Sequence, residues 1–218
     1  MPIRSLRFLC LAGFAGILLA LRAFAADGAP VADAPTRGLL GQSRVGIAID
    51  WYRLQDAAPL DSTAQGVSLE AFAALSSWLD VGINHQRVSV HGPAILPLVK
   101  REETLFRGVV HGGHWSVAQP FVDLGLGRAT QKVFRVKETG TAIQFGAGLE
   151  VPVSASLVLT PRVDHARVSD FDEREWRYGL GLDWRFARHW SAGLSLTHAA
   201  VAGGGDYQRY AWTLRFVF

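Results

Sequence analysis

The sequence predicts an all-β protein, a transmembrane antiparallel up-and-down β-barrel of ten strands. Three observations carry that prediction. From Arg44 to Phe218, apolar residues recur at every second position in segment after segment, which marks strands with two unlike surroundings. The alternate face combines Gly with Asp, Glu and Arg. Such a set cannot pack a dry soluble core but suits the polar interior of a membrane barrel. Beyond the first 25 residues no stretch has the roughly 20 apolar residues a transmembrane helix needs.

Residues 1–25 read as a cleaved secretory signal: Arg4 and Arg7, an apolar run from Phe8 to Leu21, then Ala23-Phe24-Ala25 as a small-residue cleavage site. Arg22 ends the run too early for a membrane anchor. Cys10, the single cysteine, lies inside that run, so the mature chain carries no disulfide and no thiol chemistry. Three of the 22 basic residues leave with the signal, and the remaining 19 face 19 acidic ones. The whole-chain pI of about 9.3 therefore does not argue for a nucleic-acid partner. Residues 26–43, rich in Ala, Asp, Pro and Gly, read as a flexible periplasmic segment, and 44–218 as the barrel.

The strands follow in order. Strand one, Arg44 to Leu54, sets Val45, Ile47, Ile49 and Trp51 against Gly46, Ala48, Asp50 and Tyr52. Strand two is predicted at Gly66 to Leu75 and strand three at Leu79 to Val90, around a tight Ser76-Ser77-Trp78 turn. Strand four, near Thr104 to Gly112, alternates least. Strand five, Gln119 to Ala129, sets Val122, Leu124 and Leu126 against Asp123, Gly125 and Gly127. Strand six sets Ile143, Phe145, Ala147, Leu149 and Val151 against Gln144, Gly146, Gly148 and Glu150; strand seven sets Leu157, Leu159 and Val163 against Thr160, Arg162 and Asp164. In strand eight Trp176, Tyr178, Leu180, Leu182, Trp184 and Phe186 alternate with Arg177, Gly179, Gly181, Asp183 and Arg185. Strand nine runs from Trp190 to Thr197. The last strand places Tyr210, Trp212, Leu214, Phe216 and Phe218 on one face and Arg209, Ala211, Thr213, Arg215 and Val217 on the other.

Aromatic residues fall near the predicted strand ends. Trp78, Trp115 and Trp190 mark one interface girdle, and Trp51, Trp176 and Tyr207 the other. Connections around Ser76, Val153 to Ser156 and Ala187 to His189 read as short periplasmic turns. Those at Gln55 to Gln65, His91 to Glu103 and Thr130 to Gly140 read as longer extracellular loops.

The terminal strand, ending on an aromatic residue, resembles the closing strand of Gram-negative outer-membrane β-barrels. That resemblance implies recognition of Phe218 and its strand by the outer-membrane assembly machinery. Gly66-Val67-Ser68-Leu69-Glu70, Pro120-Phe121-Val122-Asp123-Leu124-Gly125-Leu126-Gly127 and Phe145-Gly146-Ala147-Gly148-Leu149 resemble the small barrels that include the OmpA transmembrane domain and OmpX. Those relatives mostly have eight strands, so eight is the alternative count. The resemblance implies an integral protein of the outer membrane; a monomer with outer-membrane lipids and lipopolysaccharide as partners is the expectation.

With Phe218 facing lipid, the inward set holds Asp50, Glu70, Asp80, Asp123, Glu150, Asp164 and Asp183 against Arg162, Arg177, Arg185, Arg209 and Arg215, with Arg44 and Arg107 as additions. A barrel of this size is narrow enough for side chains to fill, and unpaired charges there are costly. These residues read as an internal salt-bridge network in a protein of structural or surface-interaction type. A narrow porin is the alternative. Lys100, Arg101, Lys132, Arg135 and Lys137 cluster in the long loops and could meet lipopolysaccharide phosphates.

Two enzyme families of this compartment offer a comparison. Lipid A deacylases resemble a small barrel with a His-x-Ser pair late in the chain, where this sequence has His198-Ala199-Ala200 and lacks the nucleophile. Omptin proteases are ten-stranded with a His-Asp pair at the outer rim, but Asp164 and His165 are adjacent and point to opposite faces. His111, His114 and His189 show no metal-ligand spacing. The sequence thus predicts a non-enzymatic barrel without cofactor or metal, with a lipid A-modifying or omptin-like surface enzyme as the third reading after the narrow porin.

Overall fold

The apolar alternation folds outward. In the computed structural model, which describes residues 38–54, 63–91, 97–112, 118–133, 136–171, 173–202 and 205–218, Phe106 is 67% exposed and Trp212 61%, while Asp50 and Asp80 are fully buried. A water-soluble protein inverts that arrangement; a lipid-embedded barrel requires it. The predicted signal, residues 26–37, the 55–62 connection, His114, Trp115 and Arg135 lie outside the described residues.

Ten strands form: β1 (Arg44–Leu54), β2 (Thr63–Ala74), β3 (Leu79–His91), β4 (Pro97–His111), β5 (Gln119–Val133), β6 (Val136–Pro152), β7 (Leu157–Val168), β8 (Glu173–Ala187), β9 (Trp190–Val201) and β10 (Tyr207–Val217). Each pairs antiparallel with its sequence neighbours, and β1 pairs with β10 to close the barrel. The seam runs from Arg44↔Val217 to Leu54↔Tyr207. Closure leaves no strand edge unpaired in lipid. The strand count is ten, not the alternative eight, and the start of β1 and the end of β10 lie at one opening, here called the near end.

Several strands extend beyond their predicted limits. β4 begins at Pro97 rather than Thr104, β5 continues to Val133, and β6 begins at Val136. The anticipated loop from Thr130 to Gly140 is therefore largely ladder, paired as far as Val133↔Val136, while the near-end connection between β4 and β5 spans 112–118. Connection lengths do not divide into short and long classes by end. The reason is that backbone pairing continues where the outer face has become polar, and alternation in hydrophobicity marks only the lipid-embedded part of a strand.

Local irregularities have local causes. Pro161 has no N–H to donate, and the β6–β7 ladder passes from Gly148↔Arg162 to Val151↔Leu159 across it. Gly82 lies opposite Phe72 on the lumen face, and a Cβ there would stand 2.5 Å from the Phe72 ring. That glycine makes room for a small internal apolar cluster of Leu40, Phe72, Val109 and Phe121. Of the predicted girdle members among the described residues, Trp78, Trp190, Trp51 and Trp176 are exposed. Tyr207 instead lies on the lumen parity of β10 and donates to Glu175 at 2.8 Å.

Candidate functional site

Charged side chains on the inner parity of the strands fall in three tiers. At the near end, Gly38 to Ser43 fold into the barrel mouth. Leu39 and Leu40 are buried, and their backbone N–H groups donate to the two Glu150 carboxylate oxygens at 3.1 and 3.3 Å. Gly41 turns the chain with φ of 73°, a left-handed conformation natural to glycine, and donates its N–H to Asp80 at 3.1 Å. Arg44 returns to the Leu39 carbonyl at 2.8 Å and lies 4.3 Å over the Phe72 ring. His111 contacts Asp80 at 3.4 Å and the Gln119 amide at 3.0 Å. Arg185 donates to the Gln42 side-chain oxygen at 2.8 Å. The end of the segment expected to be flexible is thus tied to the wall by two carboxylates.

The middle tier is organised by acidic hubs. Asp50 accepts from Arg209 Nη2 at 2.8 Å and from Ser68 at 2.6 Å. Asp123 accepts from Arg107 at 2.7 Å and from Arg162 at 3.1 Å. Arg162 also forms a two-pronged pair with Asp164, its Nε donating at 2.9 Å, and Gln144 donates to Asp164 at 3.3 Å. Arg215, on β10, pairs with Glu70 on β2 and Asp183 on β8. Charge-assisted bonds of this type are the strong ones, and apart from the Arg162–Asp164 pair within β7 they reach from strand to strand across the interior. Glycine creates their space: a Cβ on Gly193 would meet the Asp183 carboxylate at 2.6 Å and the Arg215 guanidinium at 2.7 Å.

At the far end, Arg101 on β4 donates to both oxygens of Glu173 on β8, at 2.7 and 2.8 Å, and to Glu103 at 3.0 Å. Arg177 pairs with Glu175, which also accepts from Tyr207. Between the tiers lies a polar cavity of about 190 Å3 whose walls include Asn84, Glu103, Arg107, Arg177, Thr197 and Thr213. It has room for several water molecules. Among the described residues no group of three or more His, Cys, Asp and Glu is arranged to hold a metal ion.

No family model and no curated protein sequence matches the chain. Solved structures do. An outer membrane channel from Pseudomonas putida F1 aligns at TM-score 0.51 and 12% identity, over 87% of this chain and all of that one. The beta domain of the Bordetella autotransporter BrkA aligns at TM-score 0.50 and 11% identity, over 81% of this chain and 99% of its own. The fold is that of outer-membrane β-barrels. A third structure, the translocator domain of the autotransporter NalP from Neisseria meningitidis, aligns at TM-score 0.46 and 12% identity over 97% of this chain and 98% of that one.

The rim residues divide. Lys100, Lys132 and Lys137 stand on the outer face of β4, β5 and β6, whereas Arg101 differs from expectation and points inward. It shares the lumen parity of Glu103 and Arg107, and its acidic partners hold it there. Asp164 faces the lumen, and His165 packs outside against Trp176 with ring centroids 4.8 Å apart. His198 stands 4.0 Å from Asp206. Sequence reading missed Glu103, Glu173 and Glu175 as lumen members because they lie where loops or strand ends were expected. Extending the strand parity from Arg107 and Arg177 was the signal that could have found them.

Proposed function

We propose that this chain is a monomeric integral outer-membrane β-barrel of structural or surface-interaction type, with its lumen closed at rest. It groups with the small barrels of the OmpA transmembrane-domain and OmpX type, exported by a signal at residues 1–25 and recognised for assembly through Tyr210, Trp212, Leu214, Phe216 and Phe218. The near end is periplasmic in this reading. Its supporting observation is Arg215, which joins β2 to β8 through Glu70 and Asp183, with residues 38–43 below it in the mouth. Opening a continuous path would separate charges in a confined space. The reading is non-enzymatic, so lipid A from overexpressing cells keeps its mass.

Fractionation tests the location and planar-bilayer recording the closure: the expected result is an outer-membrane protein without steady conductance. A second reading, a narrow channel for small polar solutes, is favoured by the 190 Å3 polar cavity. Steady conductance of the unmodified protein would establish that second reading in place of the first.

A further inference from the structure

The outer wall of β3 to β6 changes character in register. Ile83, Phe106, Leu126 and Ile143 are cross-strand partners in one row, all exposed and apolar. The next outward row is His85, Thr104, Arg128 and Thr141; the next is Arg87, Glu102, Thr130 and Thr139; the next is Ser89, Lys100, Lys132 and Lys137. The apolar belt therefore ends between the same two rows on four adjacent strands.

Lys100, Lys132 and Lys137 are directly opposite one another on neighbouring strands, about 4.8 Å apart from strand to strand. Like charges in that arrangement repel and destabilise a sheet. Among the outward residues described on β4 to β6, Glu102 is the single carboxylate, and it is engaged by Arg87 at 3.2 Å. The four rows thus carry five cationic side chains, Arg87, Arg128 and the three lysines, against one acidic one. A row of unneutralised lysines on a wall that rises from lipid is a site shaped for anions.

We propose that this face binds a lipid whose sugar head carries two phosphates. Its acyl chains lie along Phe106, Leu126 and Ile143, one phosphate meets Arg128, and the other meets the lysine row. Arg128 and Lys132 are four residues apart, about 14 Å along the strand. A glycerophospholipid with a single phosphate reaches one of these positions and not both. The hydroxyls of Thr130 and Thr139, 3.2 Å apart, lie between them as partners for the sugar. This inference rests on the outer-membrane reading above and adds the ligand and its address on the wall.

The test is native mass spectrometry of the detergent-extracted full protein with three probes: a bisphosphorylated disaccharide lipid, its monophosphorylated form, and phosphatidylglycerol. The expected result is retention of the bisphosphorylated lipid at least about 10-fold above the other two. A K100Q/K132Q/K137Q variant is expected to lose that preference, whereas Arg53→Gln, an exposed cation on β1, keeps it. Equal retention of the three lipids by the unaltered protein overturns the proposal without recourse to any variant. So does an unchanged preference in a triple variant that still shows the heat-shifted migration of a folded barrel; if the triple variant does not fold, Lys132→Gln alone is read the same way. Fractionation is scored separately: a chain found in the outer membrane that shows no lipid preference sinks this inference and leaves the membrane reading intact.

Discussion

Arg185 and Arg215 share one register partner, Ser191, on opposite sides of β9, yet they make unlike contacts. Arg215 is held by two carboxylates, Glu70 and Asp183, while Arg185 donates to the neutral side chain of Gln42. Equal depth and equal charge do not give equal energetic weight.

Arg215→Ala is therefore expected to cost far more stability than Arg185→Ala. Removing one partner from a buried ion pair costs about 3–5 kcal/mol, whereas losing one hydrogen bond to a neutral group costs about 1 kcal/mol. Urea unfolding midpoints of both variants in the same detergent measure the difference. Midpoints that drop equally would show that the lumen treats the two arginines alike.

Gly193→Val should reproduce part of the Arg215 defect without altering a charge. The added side chain enters the space of the Asp183 and Arg215 groups, so the pair must separate. A lower urea midpoint is expected, with smaller additional loss when Arg215→Ala is combined with it than the two losses summed. Strict additivity would place the two effects in unrelated parts of the molecule.

The faces of these strands were readable because lipid and lumen impose opposite chemistry on alternate residues. Trp176 through Phe186 on β8 announces its outer face at every step. Strand ends were not readable, since Thr130, Lys132, Lys137 and Thr139 continue the ladder above the apolar belt, where outside and inside are both polar. Partner choice was hidden as well. Parity says that Arg101 faces inward once β4 is known to reach it, but not that Glu173, four strands away, is its counterion. The seating of residues 38–43 depends on backbone amides meeting Glu150 and Asp80, and composition carries no trace of such bonds beyond the Leu39-Leu40 pair.

That seating makes its own prediction. Glu150→Ala combined with Asp80→Ala removes the acceptors for the Leu39, Leu40 and Gly41 amides, so their hydrogen exchange should accelerate by about 10-fold or more. Amides in the middle of β9 serve as the internal reference. Unchanged protection at 39–41 would mean that the carboxylates are not what holds the segment.

The closing strand carries the fourth prediction. Phe218 is 66% exposed, its N–H donates to the Ser43 carbonyl at 3.0 Å, and its ring lies 6.0 Å from that of Phe216. Phe218→Asp places a charge at the lipid boundary and removes the terminal aromatic, so outer-membrane yield is expected to fall while total synthesis does not. Quantitative immunoblotting of the membrane fractions with heated and unheated samples reads this out; wild-type yield with normal heat-shifted migration would dismiss the role.

Closure of the barrel at β1 and β10 also poses a problem of information. The lipid-facing pattern distinguishes odd from even: a slip of one residue at the seam would turn Trp212 and Leu214 inward. A slip of two would leave every apolar side chain facing lipid, and the exterior could not detect it. The interior can, because the same slip carries Arg215 about 7 Å along the strand from Glu70 and Arg209 equally far from Asp50. The outer face thus encodes which side of each strand is which, and the ion pairs inside encode the absolute alignment, so the charges act as the key that admits one closed arrangement among several that lipid alone would accept.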